Sequence, residues 1–235
     1  MLDDRKQIIS WSLYDWANST FSTTVMAGFF PIFFQQYWST ASDVTVSTWY
    51  LGLANSLASI AVASLAPFLG AIADKASVKK RLLIFFAFIG IISTGALSMV
   101  GQGYWKIAAV FYVVASVGFM SANIFYDSLL PSVASKPKRD FVSSLGYSLG
   151  YIGGGILFLV NVAMYLKPQF FGIADAPSAI KLSFLTVAVW WAIFTLPILI
   201  FVKEKAPAND IGIIKSISAA VSYTHLTLPT SLIVG

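Results

Sequence analysis

Six long apolar stretches separated by short polar or Gly/Pro-containing stretches set the rhythm of this chain. They run approximately from Trp16 to Trp38, Trp49 to Ala73, Leu82 to Val100, Ile107 to Leu130, Phe141 to Leu166 and Leu182 to Val202. Each is about the length, roughly 20 residues, that an α-helix needs to cross a hydrocarbon core about 30 Å thick. The ten-residue alternation of outer-membrane barrel strands is missing. The pattern therefore predicts an all-α membrane protein with six transmembrane helices. The first run is full length and lacks a short apolar core followed by a small-residue cleavage site, so it is expected to remain as a helix.

Polar residues inside these runs are not scattered. Asp15, Asn18, Ser19, Ser22 and Thr23 recur at spacings of three and four and share one helical face. Ser116, Met120, Asn123 and Asp127 make a similar stripe on the fourth run, and Asn55 with Ser59 makes a small patch on the second. Polar groups in hydrocarbon cost a few kcal/mol unless paired or wetted, so the two long stripes are expected to face the bundle interior or a water-filled cavity. On the fifth run Gly146, Gly150 and Gly154 repeat every four residues, giving a smooth face for close helix packing. Beside them Tyr147, Ser148 and Tyr151 offer hydroxyls to a cavity, with Asn161 deeper. The third and sixth runs carry no ionisable residue and suit lipid-facing positions.

Asp15 and Asp127 are the acids expected at or near membrane depth. Two readings fit them. They are a proton or cation relay at the mouth of the cavity, or they are interfacial groups, Asp15 at a helix N-terminus and Asp127 in a hydrogen bond between helices. For Asn55 the same choice lies between the solute path and a helix–helix hydrogen bond.

Composition strengthens the membrane reading, with 57% hydrophobic and 11% charged residues and a mean hydropathy of +0.78. Charge then supplies orientation. Arg5, Lys6, Lys75, Lys79, Lys80, Arg81, Lys136, Lys138, Arg139, Lys203 and Lys205 fall on one side of the predicted helices, whereas Lys106, Lys167 and Lys181 fall on the other. The positive-inside rule places the N-terminus in the cytoplasm. The net charge of +5 is thus mainly a topology signal, and no soluble basic module suggests a nucleic-acid partner. Cysteine is absent and His225 is the single histidine. No metal cluster, cofactor or base-activated nucleophile is expected, and an enzyme is disfavoured.

Three motifs in order carry a resemblance. "GAIADKASVKKR" between the second and third runs is similar to the cytoplasmic signature of the major facilitator superfamily, with Gly70, Asp74, Lys75 and Lys79 on matching positions and Ser77 in place of its second glycine. "YDWANSTFSTTV", "FYDSLLPSVA" and "SSLGYSLGYIGGGILFLVN" resemble the vacuole-effluxer-like branch of that superfamily. The resemblance implies a secondary transporter of small solutes, amino acids among them, working by alternating access in a bacterial cytoplasmic membrane. It implies that residues 1–205 form the N-terminal half of the fold, with a six-helix second half as partner. Asp15, Asn18, Ser22, Asn55, Asn123, Asp127, Tyr147 and Tyr151 would then line the solute or proton pathway. The Gly70, Asp74, Lys75 and Lys79 motif would act as a cytoplasmic latch, with Gly70 admitting a neighbouring helix. The glycine face would lie where the two halves rock. Residues 206–220 are expected to begin a cytoplasmic linker. Val221–Thr230 match the translation of an adapter used in transposase-based sequencing libraries, so residues 221–235 are expected to be read-through. A six-helix scaffold that does not transport is the alternative.

Overall fold

A computed structural model describes residues 2–40, 43–75 and 78–204, with the backbone alone for 71–75. The expected linker and read-through, and the side chains of Asp74 and Lys75, lie outside the described residues.

The architecture is a helical bundle. α1 (Arg5–Thr20) leads through a π-helical stretch (Phe21–Phe29) into α2 (Phe30–Phe33) and a second π stretch (Phe34–Trp38). Then come α3 (Val44–Lys75), α4 (Lys79–Leu97), α5 (Trp105–Val133), α6 (Arg139–Leu166) and α7 (Ala176–Phe201). α3 to α7 are five helices long and apolar enough to cross a membrane. They correspond to the second to sixth apolar runs.

The first run is helical throughout but changes its winding. The hydroxyls of Thr20, Ser22 and Thr23 donate to the carbonyls of Ala17 and Ser19 at 2.7, 2.9 and 3.0 Å, competing with the backbone ladder. Pro31 then removes an amide donor at the start of α2. Between these two disturbances the chain takes the wider i→i−5 bonding, seen where Phe30 N–H reaches Val25 O. α1 also starts well before Trp16, with Asp4 as N-cap accepting from Lys6 N at 3.0 Å. Asp15 is therefore interior to a helix, and its reading as a helix-terminus charge is corrected.

Glycines set the close contacts. A Cβ on Gly118 of α5 would sit 2.6 Å from Gly90 N and 2.7 Å from Phe86 O, so α4 and α5 meet backbone to backbone. Gly90 in turn leaves the space filled by the Trp191 ring of α7. Around this seam lie buried aromatic rings, with Phe30 stacked on Tyr112 at 3.9 Å and Trp11 on Tyr126 at 4.1 Å. α4 and α7 each bury one face and expose another, including Phe88 and Ile92 on α4 and Val189 and Ile193 on α7. Their lipid-facing assignment holds for one face of each helix.

The basic end of the bundle is tied by hydrogen bonds. Glu204 accepts from Lys79 N at 2.9 Å and Lys80 N at 3.2 Å, capping α4 from beyond the end of α7. Lys80 Nζ donates to Val202 O, Lys79 Nζ to Ser128 O, and Lys203 N to Gln7 Oε1. Asp3 closes the ring, accepting from Ser135 N at 2.9 Å and Ser135 Oγ at 2.8 Å.

Candidate functional site

α1, its π continuation, α5 and α6 enclose a cavity of about 390 Å³. The first helix contributes Asp15, Asn18, Ser19, Ser22 and Thr23, the five residues of the predicted stripe. From α5 come Phe119, Asn123, Tyr126 and Asp127, and from α6 Tyr147, Gly150 and Tyr151. Helical periodicity explains the convergence, because positions three and four apart stack on one face and two such faces meet across the space.

Hydrogen bonds hold the wall in shape. Asn18, nearly fully buried, donates through Nδ2 to Asn123 Oδ1 and so joins α1 to α5. Asp15 Oδ1 accepts from Ser19 Oγ at 3.1 Å, and Thr23 Oγ1 reaches Gly154 O at 3.3 Å. Trp11 Nε1 donates to Tyr126 O at 3.0 Å from behind the wall. Asp127 is exposed and has no hydrogen-bond or ion-pair partner among the described residues.

The glycines of α6 act within this half. Gly146 faces the Trp11 ring and the Tyr126 hydroxyl, Gly150 faces Asp15 and Ser19, and Gly154 faces Thr23. The glycine face is thus the seam between α6 and the first helix, which corrects its expected place between two moving halves. The side of α6 that stays exposed carries Tyr147, Tyr151, Ile156 and Leu159.

Asn55 is outside the cavity. Its Oδ1 accepts from Tyr112 Oη at 2.7 Å, a bond that joins α3 to α5. At Gly70 an added Cβ would meet open space, so among the described residues no helix approaches there. Lys79 serves the capped start of α4. Sequence reasoning missed Phe119 and Tyr126, although both lie at helical spacing from Asn123 on the same stripe. It also missed Glu204, whose partners lie far away in sequence.

An all-helical membrane protein with a polar cavity among its helices is the class these features define. The chain matches the family model described as vacuole effluxer Atg22 like over residues 39–139 and 133–228, and it belongs to that family. It is 38% identical over 205 residues to the uncharacterized MFS-type transporter YxiO of Bacillus subtilis, covering 85% of this chain and 47% of the relative. An uncharacterized protein of Aquifex aeolicus is 28% identical over 187 residues, 79% of this chain and 45% of the relative. Autophagy-related protein 22 of Eremothecium gossypii is 24% identical over 135 residues, 52% of this chain and 25% of the relative. The chain spans about half the length of the bacterial relatives it matches. No solved structure matches it.

Proposed function

We propose that the chain forms the N-terminal six-helix half of a secondary active transporter of small solutes, amino acids among them, working by alternating access. The observation that carries this reading is the cavity. Amides, hydroxyls and two carboxylates converge on one space among helices whose outer faces are apolar, and keeping such groups at membrane depth is costly unless water or a solute meets them. A scaffold has no use for that space, and nothing in the fold favours it.

In this reading the first run, from α1 to Trp38, supplies the sixth crossing. The Lys- and Arg-rich end faces the cytoplasm of a bacterial cell, with the N-terminus inside. A second six-helix half covers the open side of α6, and the segment from Gly70 through Asp74 and Lys75 to Lys79 latches the two halves on the cytoplasmic side. Asp15 and Asp127 supply negative charge for a coupling proton or a cationic group.

Because cysteine is absent, single-cysteine variants test the wet cavity directly. In membranes holding the chain, Ser22→Cys should react with a polar thiol reagent, and Ile92→Cys on the outer face of α4 should not. Transport itself is tested by joining the chain to the remaining half of the Bacillus relative in liposomes and following amino-acid exchange. Flux above empty liposomes is expected, with accumulation under a pH gradient reduced in Asp127→Asn. An inert Ser22→Cys together with no flux of any solute would overturn the reading.

A further inference from the structure

The cavity wall carries two carboxylates and no lysine, arginine or histidine. Neither Asp15 nor Asp127 has an ion-pair partner among the described residues. Grouped acids alone do not make a site, but Tyr126 adds an independent sign of one. It lines the cavity, is 5% exposed, and its hydroxyl has no hydrogen-bond partner among the described residues. A polar group of a bound solute would supply the missing partner.

Gly150 shows that the Asp15 carboxylate is seated rather than loose. A Cβ at that position would lie 2.7 Å from Ser19 Oγ and 3.0 Å from Asp15 Oδ1, so the glycine leaves the space that the carboxylate and its hydroxyl donor occupy. On the same cavity Tyr147 and Tyr151 stand one turn apart on α6, 66% and 74% exposed. Aromatic faces attract cations, and ionised carboxylates only accept hydrogen bonds. An ammonium group answers both demands.

The geometry points to a solute bearing a protonated amine as the ligand of this cavity, its ammonium held by Asp15 and Asp127 and its carbon skeleton laid against Tyr147 and Tyr151. The inference rests on the transport reading above and names the chemistry of its solute. A bare alkali ion is a poorer match, because about 390 Å³ is many times the roughly 30 Å³ that one water occupies in the liquid.

The test uses the full chain in lipid nanodiscs and three probes of like shape: phenethylammonium, 3-phenylpropionate and 2-phenylethanol. Phenethylammonium should raise the thermal-unfolding midpoint saturably, with half-saturation at least about tenfold below that of the other two. Asp15→Asn and Asp127→Asn should each weaken that response by about tenfold or more, and Gly150→Ala should weaken it while both charges remain. The wild-type probe series stands even where a variant fails to fold. Equal responses to the amine and the carboxylate would overturn the inference. So would a sodium salt reproducing the amine's shift where a choline salt does not. Should an anionic or neutral solute cross liposomes while amines neither bind nor cross, this inference falls and the transport reading stands. Amine binding without flux of any solute would support the inference and count against transport.

Discussion

α6 and α3 are both long apolar helices with small residues along one side, and they end in different circumstances. Of the most apolar window of α6, 33% is buried within the chain; of α3, 11%. The glycines of α6 at 146, 150, 153 and 154 are filled by side chains of the first helix and by Tyr126, whereas Gly52 and Gly70 of α3 face open space. A glycine in a membrane helix thus reports a close contact only where something occupies the room it leaves. α3 keeps its side chains Leu53, Leu57 and Ile60 exposed and is held chiefly along α5, through bonds such as that between Asn55 and Tyr112.

The largest effect should come from the tightest seam. Gly118→Ala places a methyl group on the backbone of Gly90, where no side chain can swing away, and overpacking of this kind costs about 1–3 kcal/mol or more. Gly52→Ala, on the open side of α3, should be neutral or stabilising by up to about 1 kcal/mol through helix propensity. Thermal unfolding in detergent, read by the elution profile after heating, separates the two. Similar losses in both variants would end the comparison.

A sharper version lies within one turn of α6. Gly153→Ala drives a Cβ to 2.6 Å from the Trp16 ring and 2.7 Å from its carbonyl oxygen, while Gly155→Ala meets nothing within 4 Å. The first should lower stability by about 1–3 kcal/mol, and the second should raise it by a few tenths, up to about 1 kcal/mol. If Gly155→Ala were instead tolerated in the isolated chain but damaging once a second half is joined to it, the open side of α6 would be an interface.

A smaller effect is expected where α7 is tied to α4. Glu204→Ala leaves the Lys79 and Lys80 amides without their carboxylate and removes a negative charge from a helix N-terminus, a loss of about 0.5–2 kcal/mol. The same scan should show Glu204→Gln losing less, since an amide oxygen still accepts. Equal stability of wild type and Glu204→Ala would reduce the clasp to a passive end of the bundle.

Hydropathy and helical period made much of this visible in advance. The five long helices follow their apolar runs to within a few residues, and Asp15, Asn18, Ser22, Asn123, Asp127, Tyr147 and Tyr151 meet around one cavity as their spacing implied. The start of the first helix was hidden because Arg5–Ser12 is polar on average. Its Gln7, Ser10, Trp11 and Ser12 are buried by neighbouring helices rather than by lipid, which no hydropathy window detects. Asn55 was misplaced because a helix–helix hydrogen bond and a cavity wall produce the same period, and only the position of Tyr112 distinguishes them. Tyr126 passed as a core aromatic until the place of α1 was known. The π turns rest on hydroxyl-to-carbonyl bonds and a proline whose combined effect on winding has no simple signature.

The smallest effect, and one with a definite pH signature, belongs to the strap at Asp3. Its carboxyl is held below the ordinary carboxylate range, first by the Ser135 amide, then by the Ser135 hydroxyl, with Lys138 Nζ at 3.5 Å adding less. A depressed value means that the unfolded chain takes up the proton first as pH falls. The contribution is therefore fully present above the ordinary value of about 4 and is lost as pH drops below it through the folded value. Asp3 has a φ of 63°, and asparagine also tolerates this left-handed conformation, so Asp3→Asn removes the charge without straining the turn. Wild type should be slightly more stable than Asp3→Asn from pH 5 to pH 7, with the gap closing toward pH 3. High salt should erase little of it, because hydrogen bonds dominate and the partly exposed Lys138 pair is already screened. A gap that persisted at pH 3, or one that 1 M salt abolished, would mean that the Ser135 bonds are not what holds the N-terminal strap to the start of α6.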